Sequence, residues 1–99
     1  MPGSSVLSGD ALSVELRLLR PARAAVAQGD LAGALARLAE HARRFRNGRL
    51  AEEREALRVK ALAGLGRMEE ARGAAAAFET RFPHSVLVPA VSDVLGASR

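Results

Sequence analysis

The chain contains no cysteine, no tryptophan and no tyrosine, and Lys60 is the only lysine among its fifteen basic residues. Without cysteine there are no disulfides, no thiolate metal ligands and no thiol nucleophile, and nothing records the redox compartment. Without tyrosine or tryptophan, the rings that most often stack nucleic-acid bases are missing. The arginine bias fits a GC-rich coding sequence better than a chemical demand for guanidinium. Long apolar runs are also absent, so no segment reads as a membrane span, and the opening "MPGSSVLSGD" has no apolar core of a secretory leader. As written, the chain reads as cytoplasmic; if it is excised from a longer membrane-anchored protein, it would belong to the periplasm or cell envelope. No stretch alternates apolar and polar residues for long, and no hairpin turn joins β-branched runs, so strands are not expected.

What remains is alanine and charge. The 99 residues suit one small domain with little stability margin. Alanine supplies 21 of the apolar residues, and aromatics are only 3%, so the core must be built from closely approaching backbones and leucines. The net charge of +4 and pI near 11.2 permit acidic partners but say nothing about fold.

The punctuation of the chain marks helices. Residues 1–9, rich in Gly and Ser, read as a flexible lead-in to a helical domain over 10–99. Asp10 is placed to cap a first helix over about 11–28, kinked near Pro21 and ended by Gly29. Asp30 caps a second, over about 31–46, whose stripe is Leu31, Ala34, Leu35, Leu38, Ala39, Ala42 and Phe45. "RNGR" ends it. A third helix, over about 50–65, carries Leu50, Leu57, Ala61 and Leu65, with Gly64 permitting close approach. Its acidic "EERE" opening suits the positive end of the helix dipole. A fourth, over about 68–82, repeats the stripe as Met68, Ala71, Ala75, Phe78 and Phe82 before Pro83. Ser85 can cap a fifth, over about 86–95, with Val86, Leu87, Val91, Val94 and Leu95 as its apolar contacts.

Two phrases, "ARRFRNG" (42–48) and "ETRFPHS" (79–85), stand 37 residues apart. The same shift aligns Gly29 with Gly66, Leu31 with Met68, Ala34 with Ala71, Phe45 with Phe82 and Leu50 with Leu87. Further upstream the match slips by one residue, pairing "LSVELRLLR" with "LAEEREALR". The unit is a helix, a tight Gly turn, a second helix and a longer exit turn, and such pairs stack because neither buries its apolar face alone. In "ALAGLGRMEEARGAAAAFETRFPHS" (61–85) and the weaker copy "AVAQGDLAGALARLAEHARRFRNG" (25–48), the chain resembles the tetratricopeptide-repeat family. The ending is similar to repeats of bacterial envelope proteins. The resemblance implies an all-α fold of two antiparallel helix pairs plus a C-terminal capping helix, a fragment of an α-solenoid. It also implies a protein or peptide partner, a second copy of the chain included, and no intrinsic catalytic residues or cofactor.

Candidate chemistry is sparse. His41 and His84 read as exposed surface residues, the first on the polar side of the second helix. Within "EERE" only Glu52 and Glu55 share a face, and a solvated first turn is the reading preferred over a metal site. No phosphate loop, nucleophile constellation or zinc spacing is present. The first helix carries one stripe of Leu12, Leu16, Leu19 and Val26, and nearly opposite it Val14, Leu18 and Ala25, a candidate partner surface. The competing reading is a basic nucleic-acid-binding domain using Arg17, Arg20, Arg43, Arg44, Arg46 and Arg49. Interspersed glutamates and the missing aromatic rings place it second to a protein-interaction module.

Overall fold

A computed structural model of the chain describes the backbone of residues 3–97 and the side chains of residues 11–96. It is all-helical, with no strand among the described residues. Five helices follow one another: α1 (Gly3–Gln28), α2 (Leu31–Arg44), α3 (Ala51–Gly64), α4 (Met68–Arg81) and α5 (Val88–Ala97). The helices form packed pairs, α1 on α2 and α3 on α4, with α3 also against α2 and α5. None is long and apolar enough to cross a membrane.

The local signals place most boundaries. Asp30 caps α2, its carboxylate accepting from the Gly33 backbone N–H at 3.1 Å. Gly29 and Gly66 end α1 and α3 with φ of +82° and +80°, a conformation costly to any residue with a Cβ. Ser85 Oγ accepts from the Leu87 N–H at 3.0 Å, so it caps the turn from which α5 starts at Val88, and Pro89 falls in the first turn. Gly64 lets α3 approach α2, since a Cβ there would stand 2.4 Å from Leu31 Cδ1.

The first helix departs from expectation. It begins at Gly3, so residues 3–9 carry helical backbone, and Asp10 lies inside the helix instead of capping it. Two glycines and a few serines lower helix propensity by at most about 1 kcal/mol each, too little to stop propagation from the long run that follows. The helix is continuous through Pro21.

The two phrases are equivalent in geometry. Both phenylalanines terminate their helices, Phe45 at φ −137°, ψ 61° and Phe82 at φ −128°, ψ 63°. Each donates its N–H to the carbonyl four residues earlier, on His41 or Phe78, at 2.7 Å. Further bonds recur at the same 37-residue shift: Asp30 and Arg67 donate to Ala25 and Leu62 at 2.8 and 2.9 Å, and Gly48 and Ser85 to Phe45 and Phe82 at 3.1 Å. Arg44 lies over the Phe45 ring and Arg81 over the Phe82 ring. Neither ring is fully buried, as a residue that leaves a helix faces solvent on one side.

Burial extends this register through α1 without a slip. Ala22 and Ala25 are buried, as are Val59 and Leu62 one repeat later. The start of α5 likewise falls 37 residues after that of α3. The larger core cluster lies at the C-terminal end and includes Val59, Leu62, Ala75, Phe78 and Val91. A smaller one, Leu19, Ala22 and Leu38, sits between α1 and α2. Of the residues expected to contact the core from α5, Val86 instead stands in the preceding turn, 88% exposed. Leu65 and Ala39 are likewise exposed, because α2 and α3 turn their buried faces slightly away from the expected stripes.

Candidate functional site

The smaller core is completed by three charged or titratable residues, one from each of the first three helices. Glu15, His41 and Arg54 are 3%, 0% and 2% exposed. Arg54 Nη1 approaches His41 Nδ1 at 3.3 Å, and His41 Nε2 approaches Glu15 Oε1 at 3.1 Å. A guanidinium can only donate, so Nδ1 accepts and Nε2 carries the proton donated to Glu15. Burial and the neighbouring Arg54 charge hold the imidazole below the ordinary histidine range, with Glu15 pulling the other way. His41 is therefore a neutral bridge, and its expected place on a polar surface is corrected.

Glu15 and Arg54 also each serve a helix end. Glu15 accepts from the Arg49 and Leu50 N–H groups at 3.0 and 3.1 Å, which caps the start of α3 from across the domain. Arg54 donates to the Phe45 and Arg46 carbonyls at 2.9 and 3.1 Å, closing the end of α2, and to Glu55 at 2.7 Å. No buried side-chain nitrogen or oxygen among the described residues is left without a partner. Gly48 makes room for the carboxylate, because a Cβ there would meet Glu15 Oε1 at 2.2 Å.

The 37-residue register shows what replaces this network in the second repeat. Positions 15, 41 and 54 become Glu52, Phe78 and Val91. The ring of Phe78 and the side chain of Val91 join the apolar cluster. Glu52 turns to Ser85 Oγ, which stands where Gly48 stands and relays the cap to Leu87. The "EERE" opening is thus no solvated turn: Glu52 is engaged by Ser85, Glu53 by Arg23 and Glu55 by Arg54. With both ring nitrogens engaged and no exposed surface, His41 has no nitrogen left for a substrate. The signal that could have located it was in plain view, since the shift pairing Phe45 with Phe82 also pairs His41 with Phe78.

The proposed surface on α1 is reduced. Ala25 is 6% exposed and belongs to the core, while Val14 and Leu18 are half-buried. The two opposed stripes are the flanks of one inward face centred on Glu15 and Ala22, each within about 100° of that line. A glutamate at the centre of a buried face disguised it. Comparison with known protein families, characterised proteins and solved structures finds no match for this chain.

The candidate arginines are all exposed but do not converge on one surface. Arg17 and Arg20 share a shallow hollow on α1 with Ser13 and Leu16. Arg43 and Arg46 lie elsewhere, along a groove in which α2 and α4 stand apart with α3 between them. The groove joins hollows of about 590 and 440 Å³ through the shared residues Ala42, Arg43, Arg54 and Glu55. Leu35, Leu38 and Leu62 line its deeper part, with the exposed Ala36 and Ala39 on the α2 side. Arg44 and Arg49 do not line it.

Proposed function

We propose that this chain is a non-catalytic protein-interaction module of the tetratricopeptide type, a short α-solenoid segment that holds a protein or peptide partner. The observation that carries this reading is the recurrence, at a 37-residue shift, of the glycine turns, the phenylalanine helix ends and their hydrogen bonds. Repeated helix pairs create long grooves between non-adjacent helices, and such grooves bind other chains. In the second repeat two of the three polar core positions are apolar, Phe78 for His41 and Val91 for Arg54, so the unit is a packing device whose core chemistry can change without altering its shape. The reading applies equally to a cytoplasmic chain and to a repeat block carried by an envelope protein. A basic nucleic-acid-binding domain is the second reading, supported by the arginines of the α2–α4 groove. Its leucine and alanine lining and the absence of any aromatic side chain from that lining weigh against it.

The deciding experiment is affinity capture by the full chain from extracts of its source cell, with and without nuclease treatment, at physiological salt. A defined protein retained after nuclease supports the module reading. Recovery of nucleic acid alone, lost after nuclease, would overturn it.

A further inference from the structure

The groove between α2 and α4 holds the charge of the whole molecule. Arg43, Arg46, Arg54, Arg58, Arg67 and Arg81 line its two hollows, against only Glu55 and Glu70. That excess of four positive charges equals the net charge of the entire chain. Of 15 basic and 11 acidic residues, the nine of each sign outside the groove balance. Both groove glutamates are already held, Glu55 by Arg54 at 2.7 Å and Glu70 by Arg67 through two hydrogen bonds. Arg58 shares the field of Glu70, and Arg43 and Arg46 have no ion-pair partner among the described residues. Cationic rims above a leucine-lined trough match a ligand that is apolar on one side and negatively charged on the other.

We propose that this groove binds an acidic amphipathic segment of a partner protein, its apolar side against Leu35, Ala36 and Ala39 and its carboxylates towards Arg43, Arg46 and Arg58. This deepens the interaction-module reading and rests on it. The charge pattern selects the ligand. A basic segment would be repelled, a wholly apolar one would leave the arginines unmatched, and a nucleic acid would satisfy the arginines while leaving Leu35, Ala36 and Ala39 uncovered. The site lies on the side of the second and fourth helices, separate from the smaller hollow between α3 and α5 that Leu57 and Ala90 line.

The test uses the isotopically labelled full chain and a short synthetic peptide with Leu on one helical face and Glu on the other. A charge-reversed Leu/Lys peptide and an oligothymidylate serve as competitors. The acidic peptide is expected to bind at physiological salt and to shift the amide resonances of Ala39, Ala42 and Arg58. Arg43→Glu/Arg58→Glu should weaken it by about tenfold or more, and Arg17→Glu/Arg20→Glu should leave it unchanged, as rim charges act locally under screening. Arg43→Gln/Arg58→Gln keeps the test valid if charge reversal disturbs folding, and should weaken binding in the same direction. Shifts centred on Leu57 and Ala90 would overturn the groove assignment and leave the interaction-module reading standing, as would no peptide binding alongside nuclease-resistant capture of a protein. Tighter binding of the oligothymidylate than of the acidic peptide would overturn the proposal in favour of nucleic acid. Failure of both peptide binding and protein capture would sink the two readings together.

Discussion

Glu15, on α1, bonds His41 of α2 and the backbone at the start of α3, and its removal separates structural from merely local effects. Glu15→Ala would orphan two backbone donors at the start of α3 and leave the buried His41 Nε2 without its acceptor. Breaking a buried charged network in this way costs about 3–5 kcal/mol. A fall of that size in the urea unfolding free energy is expected, and a loss below about 1 kcal/mol would show the network to be dispensable. Gly48→Ala forces the same carboxylate aside and should destabilise by about 1–3 kcal/mol, the range for overpacking a filled site. The pH dependence has a definite sign. The folded state holds His41 neutral, below its usual range, so the unfolded chain takes up the proton first as pH falls. The stability is fully present above about pH 6.5, the ordinary histidine value, and is lost as pH drops through the folded value. His41→Phe, which installs the residue found at position 78, should flatten that slope in urea titrations at stepped pH. An unchanged slope would place the titration elsewhere.

At the scale of the helix, stability depends on how the ends are closed. Phe45 and Phe82 end α2 and α4 with the same backbone geometry, each ring about one helical turn from the residue that fills the core, His41 or Phe78. Because both are half-buried, the 3–5 kcal/mol typical of fully buried Phe→Ala overstates the loss. About 2 kcal/mol is expected for each, by apolar area removed from water. Comparable falls in denaturation midpoint for Phe45→Ala and Phe82→Ala would mark equivalent sites; a null result at either would remove that copy from the repeat. Much of this level was legible in the sequence: Asp30, Gly29, Gly66, Ser85 and Pro89 act within a turn or two of where they stand. The start of α1 was not, since Asp10 carries a cap residue's identity without a helix end beside it.

Across the whole molecule the two cores are unequal, and the difference should appear in dynamics. The apolar cluster between α3, α4 and α5 is larger than the one between α1 and α2, where polar bonds replace part of the packing. In a stack where each helix pair leans mainly on its neighbours, such asymmetry yields unequal opening free energies. Amides of α3 and α4 are expected to exchange with solvent most slowly and those of α1 sooner; equal protection along the chain would mean a single cooperative unit. The sequence by itself determined that the chain is helical, where most helices end and that a 37-residue unit recurs, because those signals act between residues three or four apart or repeat along the chain. It could not show that Glu15 bonds residues 26 to 35 positions away, which only the stacking of three helices brings together. The same stacking buried His41 and Ala25 and drew six arginines towards one groove while leaving Arg17 and Arg20 on another surface. Burial and the location of charge depend on which neighbour covers a side chain, and that neighbour is chosen by the packing of whole helices.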